Sequence, residues 1–373
     1  MMAAESRNAI APWLQGARGA RLKRGTAYTT GLGRQLIGDS RLLLRDLPDG
    51  CVDLVVTSPP FALLRKKRYG NADQEEYVAW LAEFGRETLR VLKNTGSLVL
   101  DLGGAYQRGQ PVRSLYNYRV LLEFCDGLGY HLAEEFFWHN TAKLPSPIEW
   151  VNKRKIRVKD SVDTIWWLSK TTQPKADVRR VLVEYSDRMK ELLRDPESFY
   201  QPAVRPSAHA VGTAFGRDNG GAIPPNLLQF PNTESTSSYL RLCRLLGAQP
   251  HPARFPAQLP RFFIQFLTDP GDLVLDLFAG SNTTGRVAEH EGRAWLSMEL
   301  DPAYARLSAV RFMDSWSPAD VEVAWQMLCA GKKIDLTRPP RRQRLAAGAE
   351  SQQIESAAVA TRSQLEEPRD RGS

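Results

Sequence analysis

Residues 273–285 read Leu-Val-Leu-Asp-Leu-Phe-Ala-Gly-Ser-Asn-Thr-Thr-Gly, and they are the clearest indication of the fold class. The short branched run at 273–276 predicts a buried strand, and the small and polar residues after it predict a tight loop. A helix is expected from about Thr284. Gly280 lets the backbone approach a ligand closely, and the start of the helix can hold an anionic group.

A second acidic residue places a candidate ligand at this loop. Glu299 ends the next predicted strand, 23 positions after Asp276. A carboxylate at an offset of about 20 residues reaches a ribose diol in α/β folds. The chain has neither GxxxxGK[ST] nor GxGxxG, so phosphate-loop and dinucleotide sites fit less well. A ligand with a ribose and a small carboxylate, such as S-adenosylmethionine, fits better; a structural turn with a surface glutamate is the alternative.

Outward from this stretch, strands and helices alternate, which predicts an α/β sheet with parallel strands. The predicted strands lie at 35–39, 52–56, 97–101, 136–138, 164–168, 273–276 and 295–298. The predicted helices lie at 41–47, 73–92, 119–128 and 259–267, with two more beginning near 284 and 302.

Composition divides the chain into five segments. Residues 1–34 read as a loose N-terminal arm, and 35–172 as the first half of the α/β domain. Residues 173–250 are rich in Arg, Pro, Gly, Ser and Asn, which predicts an inserted, loop-rich module. The α/β pattern resumes over 251–316. Residues 317–373 predict a C-terminal helix followed, from Ile334, by a disordered tail.

Composition also excludes several classes of protein. Of 373 residues, 42% are hydrophobic and 25% charged, as in ordinary globular chains. No run of about 18 apolar residues predicts a membrane span, and no apolar signal core opens the chain. The four cysteines are scattered without a CxxC pair, so neither a metal site nor a disulfide framework is expected. We expect a cytoplasmic protein.

The charge balance bears on the partner. Fifty basic residues against 42 acidic ones give a net charge of +8. An excess of this size favours a polyanion such as nucleic acid, although basic terminal segments alone would also produce it.

A second motif, Thr-Ser-Pro-Pro-Phe at 57–61, follows the predicted strand at 52–56. Its two prolines fix the backbone and remove two N–H donors, so the loop presents carbonyl oxygens and Ser58 Oγ as acceptors. Acceptors beside the flat face of Phe61 suit an amino-bearing heterocycle. A rigid proline turn with a packed phenylalanine is the alternative.

Together the two motifs resemble those of the DNA amino-methyltransferases. The proline motif precedes the cofactor motif, which resembles the circularly permuted beta group, and serine at its first variable position resembles the cytosine-N4 enzymes. Adenine-N6 enzymes more often carry Asp or Asn there. The resemblance runs from about Gln35 to Phe312 and includes 65–71, 220–232 and 251–256, which are similar to a type II modification enzyme. Two departures are Leu277, where the family often has Pro, and Asn282, where Gly is common.

The resemblance implies a Rossmann-like S-adenosylmethionine-dependent methyltransferase sheet with an inserted DNA-recognition module. It implies methyl transfer to the N4 amine of a cytosine flipped out of double-stranded DNA. Ser58 and the Pro59 carbonyl would accept the amine hydrogens. Asp101, which ends the strand at 97–101, is a hypothetical proton acceptor, with a turn or cap role as the alternative. Methylation at carbon 5 of cytosine needs a thiolate nucleophile. None of the four cysteines follows a proline or lies in a loop of catalytic type, so this reaction is disfavoured.

The candidate residues follow from both motifs. The catalytic candidates are Ser58, Pro59, Pro60, Phe61 and Asp101. The cofactor-binding candidates are Asp39, Asp276, Phe278, Ala279, Gly280, Ser281, Thr283, Thr284 and Glu299. Asp39 is included because a residue at the end of the preceding strand resembles the family's contact to the adenine ring; a plain turn residue is the alternative. His251 and Phe255 are expected to pack nearby.

DNA contacts are expected from two sets of residues. The first is a basic run that could touch phosphates, or be a solvated face: Lys153, Arg154, Lys155, Arg157 and Lys159. The second lies in the inserted module and could read base edges: Arg179, Arg180, Arg188, Arg205, Arg217, Asn219, Arg241 and Arg244.

The resemblance also implies a biological setting. The enzyme would be the modification component of a type II restriction-modification system, with the palindrome CAGCTG as its target. A restriction endonuclease would act on the same site without forming a stable complex with it. Two alternatives stay open: an adenine-N6 methyltransferase, and a DNA-binding module whose catalytic site has decayed.

Overall fold

The computed structural model describes residues 21–61, 76–195, 217–233 and 237–340. Several sequence predictions lie outside these ranges: the first part of the N-terminal arm, the segment at 65–71, Arg205, and the tail beyond residue 340. Within the described residues, ten strands, β1 to β10 in chain order, form one sheet. They are Thr26–Thr29, Gly33–Ile37, Val52–Thr57, Leu92–Leu102, His131–His139, Val162–Ser169, Leu227–Gln229, Leu273–Asp276, Ala294–Glu299 and Ile334–Asp335.

Nine α-helices, α1 to α9, lie entirely within the same ranges of the chain, and residues 21–24 are also helical. They are Ser40–Leu44, Tyr77–Val91, Tyr116–Leu122, Asp187–Arg194, Ser238–Leu245, Gln258–Leu267, Thr283–His290, Pro302–Leu307 and Pro318–Cys329. None of the helices in the described parts of the chain is long and apolar enough to cross a membrane.

The order of strands in the sheet is β10-β1-β2-β9-β8-β3-β4-β6-β5-β7. The central five, β2, β9, β8, β3 and β4, are mutually parallel. Their carboxyl ends therefore lie side by side along one edge of the sheet, which we call the carboxyl edge. Ligands of open α/β sheets bind outside this edge.

The flanking strands depart from the predicted parallel arrangement. β6 runs antiparallel to β4 and to β5, and β1 runs antiparallel to β2. No α-helix lies between β5 and β6 in the chain, and parallel neighbours need a crossover connection of that kind. The strands predicted at 136–138 and 164–168 are present, but the expectation of parallel pairing holds only for the centre of the sheet.

The two faces of the sheet bury separate apolar clusters, because side chains alternate along each strand. Val56, Val99 and Ile165 face α6, where Phe263 is fully buried. Alternate residues of the same strands, such as Leu98, pack on the opposite face against α2. Helices cover both faces, as a parallel sheet requires.

Both terminal predictions are wrong at their inner boundaries. Residues 26–29, assigned to the loose arm, form β1 beside β2. Ile334, assigned to the disordered tail, lies in β10 and pairs with Tyr28 of β1. Both Ile334 and Leu336 are buried. A two-residue strand is too short to show a hydrophobic period, so only its partner strand reveals it.

Two elements of the predicted module at 173–250 belong to the α/β domain itself. β7 extends the main sheet beside β5. Tyr239, Leu242 and Cys243 of α5 are buried in the same apolar cluster as Phe263. The C-terminal part of this segment is therefore integral to the domain.

Strand β10 allows a direct test. We expect a chain ending at residue 333 to unfold more easily than one ending at residue 340, because it lacks the buried Ile334 and Leu336 side chains. At about 1.5–3 kcal/mol for each buried aliphatic side chain, the loss is roughly 3–6 kcal/mol for the two. Thermal unfolding of the two truncated chains measures it, and equal midpoints would show that β10 contributes nothing to stability.

Candidate active site

The carboxyl edge gathers acidic and hydroxyl side chains from all five parallel strands. Asp276 ends β8 and Glu299 ends β9, while Ser58 directly follows β3. Asp101 lies one residue before the end of β4, and Asp39 lies two residues beyond β2. The structure thus brings residues from both sequence motifs to one edge.

The two motifs meet through a buried hydrogen bond. β3 and β8 are adjacent and parallel, with Val55 opposite Leu275. Thr57 Oγ1 donates to Asp276 Oδ1 at 2.8 Å across this pair. Ser58 and the loop after Asp276 are therefore neighbours, although more than 200 positions separate them in the chain.

On the catalytic side, the Ser58 hydroxyl is hydrogen-bonded to the Asp101 carboxyl. Asp101 is only 5% exposed, and its Oδ1 atom has no hydrogen-bond partner within the described residues. It lines a small cavity together with Phe255 and Phe263. The expected Ser58–Asp101 contact is present, and Phe255 lies on this side of the edge.

The electrostatic environment of Asp101 disfavours its charge. Burial raises the pKa of the Asp101 carboxyl to about 8, and the nearby Asp163 carboxylate adds to the rise. The Ser58 hydrogen bond and the Lys143 ammonium lower the pKa in part. A carboxyl with a pKa near neutrality can both accept and release a proton.

Phe61 owes its position to a glycine. A Cβ atom on Gly103, just after β4, would lie 2.4 Å from Phe61 Cε2, well inside van der Waals contact. Pro59 and Pro60 hold the intervening backbone, which carries no N–H at either residue. The aromatic face predicted from the sequence is therefore packed against the strand that carries Asp101.

On the cofactor side, Glu299 organises the loop after β8. Its Oε2 accepts from the Gly280 amide at 2.8 Å, and its Oε1 accepts from the Asp301 amide at 2.8 Å. Burial raises the pKa of Glu299. Gly280 has a φ of +51°, and His251 packs against it so closely that a Cβ there would lie 3.0 Å from the imidazole.

Asn282, which departs from the common glycine, is explained by its backbone and its side chain. Its φ of 57° and ψ of 46° are left-handed, a conformation that Asn tolerates better than most residues. Its Oδ1 accepts from the Gly285 amide at 3.0 Å and from Ser297 Oγ at 2.8 Å. Its Nδ2 donates to the Tyr28 hydroxyl at 3.0 Å. The asparagine therefore caps α7 and ties the loop to β1 and β9.

The remaining residues of the loop are placed as follows. The Ala279 amide donates to the Met298 carbonyl at 2.9 Å, and Ser281 Oγ lies 3.4 Å from Thr283 Oγ1. Thr283 and Thr284 open α7 and are buried. Leu277, where the family often has Pro, accepts a hydrogen bond from Ser40 through its carbonyl oxygen.

Sequence reasoning missed Arg311, which clamps the loop. Its Nε donates to the Ser281 carbonyl at 2.7 Å, and its Nη2 donates to Ser281 Oγ at 2.9 Å. The guanidinium lies 4.4 Å from the centroid of the Tyr239 ring, and Arg311 is only 8% exposed. A lone arginine inside the apolar run at 307–312 was the available signal, since a buried charge needs a partner.

An aromatic wall beside the loop was also missed. The Phe278 ring lies 4.8 Å from the Phe84 ring and 5.8 Å from the Trp80 ring, between centroids. Both partners lie on α2, and neither was named as a site residue from the sequence. Asp39 nearby caps α1 and is bonded to Arg41, whose hydrogen bonds hold the pKa of Asp39 below its usual range. Asp39 thus makes the local contacts of a turn residue, which was the alternative to a contact with the adenine ring.

These residues suit the predicted cofactor. Each Glu299 oxygen accepts one amide proton, and a carboxylate oxygen has a second lone pair that could accept a ribose hydroxyl. Phe278 supplies an aromatic face, and the Ser281 and Thr283 hydroxyls supply polar contacts. We therefore propose these residues for the cofactor site.

The predicted DNA contacts divide into two groups. Residues 140–161 join the end of β5 to the start of β6 and so lie at the carboxyl edge, since Thr164 pairs with Leu102. Within this connection, Lys153 pairs with Glu149 at 3.3 Å, Arg154 lies 5.2 Å from the Trp150 ring, and Lys155 has a φ of 53°. Arg157 donates two hydrogen bonds to the Pro111 carbonyl, which favours a structural role for it.

One member of the second group, Arg180, lies away from this edge. Arg180 donates to the Thr268 carbonyl at 2.7 Å and pairs with Asp269, before the start of β8. It therefore lies at the amino end of the sheet, opposite the carboxyl edge, and its predicted base-reading role is wrong. Arg217 and Asn219 are exposed in the loop before β7, where the backbone amide of Asn219 donates to the Tyr185 hydroxyl at 2.8 Å.

Comparison with known proteins shows the family to which the chain belongs. The profile of a family described as DNA methylase matches residues 52–310, a range that includes both motifs. The chain belongs to the DNA methylase family. Membership confirms the predicted α/β fold, the methyltransferase class and S-adenosylmethionine as the cofactor.

The similar proteins of known name are methyltransferases too. The chain is 56% identical over 311 residues to the type II methyltransferase M.PvuII of Proteus hauseri, covering 83% of this chain and 93% of that one. It is 26% identical over 276 residues to M.BglII of Bacillus subtilis, covering 73% and 66%. A solved structure named PvuII DNA methyltransferase (cytosine-N4-specific) matches with a TM-score of 0.70 and 48% identity, over 84% of this chain and 98% of that one.

The Arg311 clamp makes a prediction. Arg311→Met removes two charge-assisted hydrogen bonds to Ser281, each worth about 1.5–3 kcal/mol, and frees the cofactor loop. We expect the affinity for S-adenosylmethionine to fall roughly tenfold or more, measured by titration calorimetry. Arg286→Met is the matched control, because Arg286 pairs with Asp314 rather than with the loop. Equal affinities of the two variants would contradict a role for the clamp.

Proposed function

We propose that this chain transfers a methyl group from S-adenosylmethionine to the N4 amine of cytosine in double-stranded DNA. One observation carries the proposal: the Ser58–Asp101 hydrogen bond beside Phe61 lies at the same edge as the Gly280–Glu299 loop. The name of the PvuII relative, cytosine-N4-specific, supports the choice of target atom.

The cofactor supplies an electrophilic methyl group on a positively charged sulfur. The chain's own residues would orient it. Phe278 would pack against the adenine, Glu299 would accept the ribose hydroxyls, and the loop held by Arg311 would set the distance to Ser58. Bringing two reactants to about 3 Å in the correct orientation provides a large part of the rate acceleration.

The catalytic residues address the poor nucleophilicity of the amine, whose lone pair is delocalised into the ring. Ser58 Oγ and the Pro59 carbonyl would accept its two hydrogens and favour a pyramidal nitrogen. As the nitrogen–carbon bond forms and the sulfur–carbon bond breaks, positive charge develops on the nitrogen and these acceptors stabilise it. The amine then releases one proton to Ser58, which passes its own to Asp101, so that charge and protons balance.

The target base must leave the helix to reach Ser58, at a cost of a few kcal/mol. We propose that residues 140–161 contact the DNA there. Lys153, Arg154 and Lys155 provide positive charge, and Leu144 and Val158 are 81% and 87% exposed at the same edge. Arg217 and Asn219 are retained as proposed base contacts because both are exposed.

The biological setting belongs to the same proposal. The enzyme would act in the cytoplasm on CAGCTG as the modification component of a type II restriction-modification system. A separate endonuclease would cleave the same unmodified site without a stable complex. The intact Ser58–Asp101 and Gly280–Glu299 contacts argue against a decayed catalytic site.

The product identifies the reaction. We expect DNA incubated with the protein and S-adenosylmethionine to contain N4-methylcytosine after digestion to nucleosides and mass spectrometry, and the Ser58→Ala protein to produce far less. N6-methyladenine in its place would establish the adenine alternative and overturn the proposal. Duplexes carrying CAGCTG or the scrambled palindrome CTGCAG, compared in parallel, test the target sequence separately.

The raised pKa of Asp101 predicts the pH dependence. Only the ionised carboxylate accepts a proton, so kcat/KM for methyl transfer should rise with pH and reach half its plateau near pH 8. In Asp101→Asn we expect turnover to fall by about 10²–10⁴, the usual contribution of a general base, and the pH dependence to disappear. Cofactor affinity should stay nearly unchanged. A normal turnover of Asp101→Asn would remove Asp101 from the mechanism.

A further inference from the structure

A second carboxyl group lies beside Asp101 without a place in the mechanism so far. Asp163 is on β6, two residues before Ile165, which pairs with Asp101. Residues two apart on a strand share a face, so Asp163 is a diagonal neighbour of Asp101. Both side chains are buried, at 8% and 5% exposure of the residues.

Gly103 makes room for this carboxyl group. A Cβ atom at Gly103 would lie 2.6 Å from Asp163 Oδ1, as well as 2.4 Å from the Phe61 ring. The glycine therefore brings the Asp163 carboxylate and the Phe61 ring together over one backbone position, next to Asp101. A side chain at this position would displace one or both.

A lysine holds Asp163 from the other side. Lys143 Nζ lies 3.3 Å from Asp163 Oδ1, and its side chain is only 28% exposed. Lys143 belongs to the connection at 140–161, which is the segment proposed to contact DNA. Two further charged groups act on Asp163: Asp160 disfavours its charge, and Arg113, which is paired with Asp160 at 2.7 Å, favours it.

Among the described residues, Asp101 is influenced by three polar or charged groups. Ser58 reaches it from the loop after β3, Asp163 from β6, and Lys143 from the connection before β6. Helix α6 contributes only apolar side chains to the cavity beside Asp101, including Leu259 and Phe263. A change of charge at Asp163 or Lys143 should therefore alter the protonation of Asp101.

We propose that Asp163 and Lys143 are positioning residues for the methyl transfer, which set the protonation state of Asp101 and hold Phe61 through Gly103. The proposal rests on the proposed function. Lys143 forms an ion pair with Asp163, and its positive charge also favours the ionised form of Asp101 directly. The Asp163 carboxyl group has the opposite effect, because its negative charge disfavours ionisation of Asp101, which then ionises at a higher pH.

The two residues act on Asp101 with opposite signs, which gives a sharp test. Asp163→Asn removes a neighbouring negative charge at nearly constant shape, so the midpoint of the pH profile of kcat/KM should move down by roughly one pH unit. Lys143→Met removes a positive charge, so the midpoint should move up. Lys143→Arg keeps the charge and should restore the wild-type midpoint.

Two further proteins separate this electrostatic role from a structural one. Lys170→Met removes the same charge at the opposite end of β6, where Lys170 binds the Leu92 carbonyl, and its midpoint should equal that of the wild type. The double variant Asp163→Asn/Lys143→Met should return toward the wild-type midpoint. Cofactor binding by calorimetry establishes that each variant is folded.

The outcomes are distinct. Midpoints that move in opposite directions support the inference. Midpoints that stay in place, or that move in the same direction in both single variants, overturn it even if the rates fall. A wild-type protein that forms no N4-methylcytosine would instead refute the proposed function, which the product assay reports independently of any midpoint.

Discussion

The parallel pairing of β3 with β8 is the interaction on which the site depends. The buried hydrogen bond of 2.8 Å from Thr57 to Asp276 crosses this pair. Burial raises the pKa of Asp276 to about 6, and the Thr57 hydroxyl stabilises its charged form. This strand pair fixes the position of Ser58 relative to the loop after Asp276. A reaction between two bound molecules requires such a fixed distance and orientation.

Glycines provide the space in which the two halves of the site approach each other. Gly103 admits the Phe61 ring and the Asp163 carboxylate, and Gly280 admits the His251 imidazole while its amide binds Glu299. At these close-packed positions there is no unoccupied volume for a methyl group. The glycines thus shape the site as strongly as the residues with reactive groups do.

Acidic groups are buried inside the site, whereas basic groups are exposed around it. Burial raises the pKa of four carboxyl groups near the carboxyl edge: Asp101, Asp163, Asp276 and Glu299. The exposed connection at 140–161 carries basic residues, and the whole chain has a net charge of +8. A basic surface attracts a polyanion at long range, and burial makes these four carboxyl groups harder to ionise than exposed ones.

Local signals in the amino-acid sequence were enough to predict most of the central strands and to identify the two motifs. The strand at 273–276 was predicted at its observed bounds, because apolar periodicity and turn residues are local signals. The sequence also predicted that Ser58, Asp101, Gly280 and Glu299 belong to one site. Tertiary structure alone decided the antiparallel β6, the short strand β10, and the partners Arg311, Asp163 and Lys143. These depend on contacts between segments far apart in the chain, and the pattern of residues within one segment does not specify which distant segment will cover it.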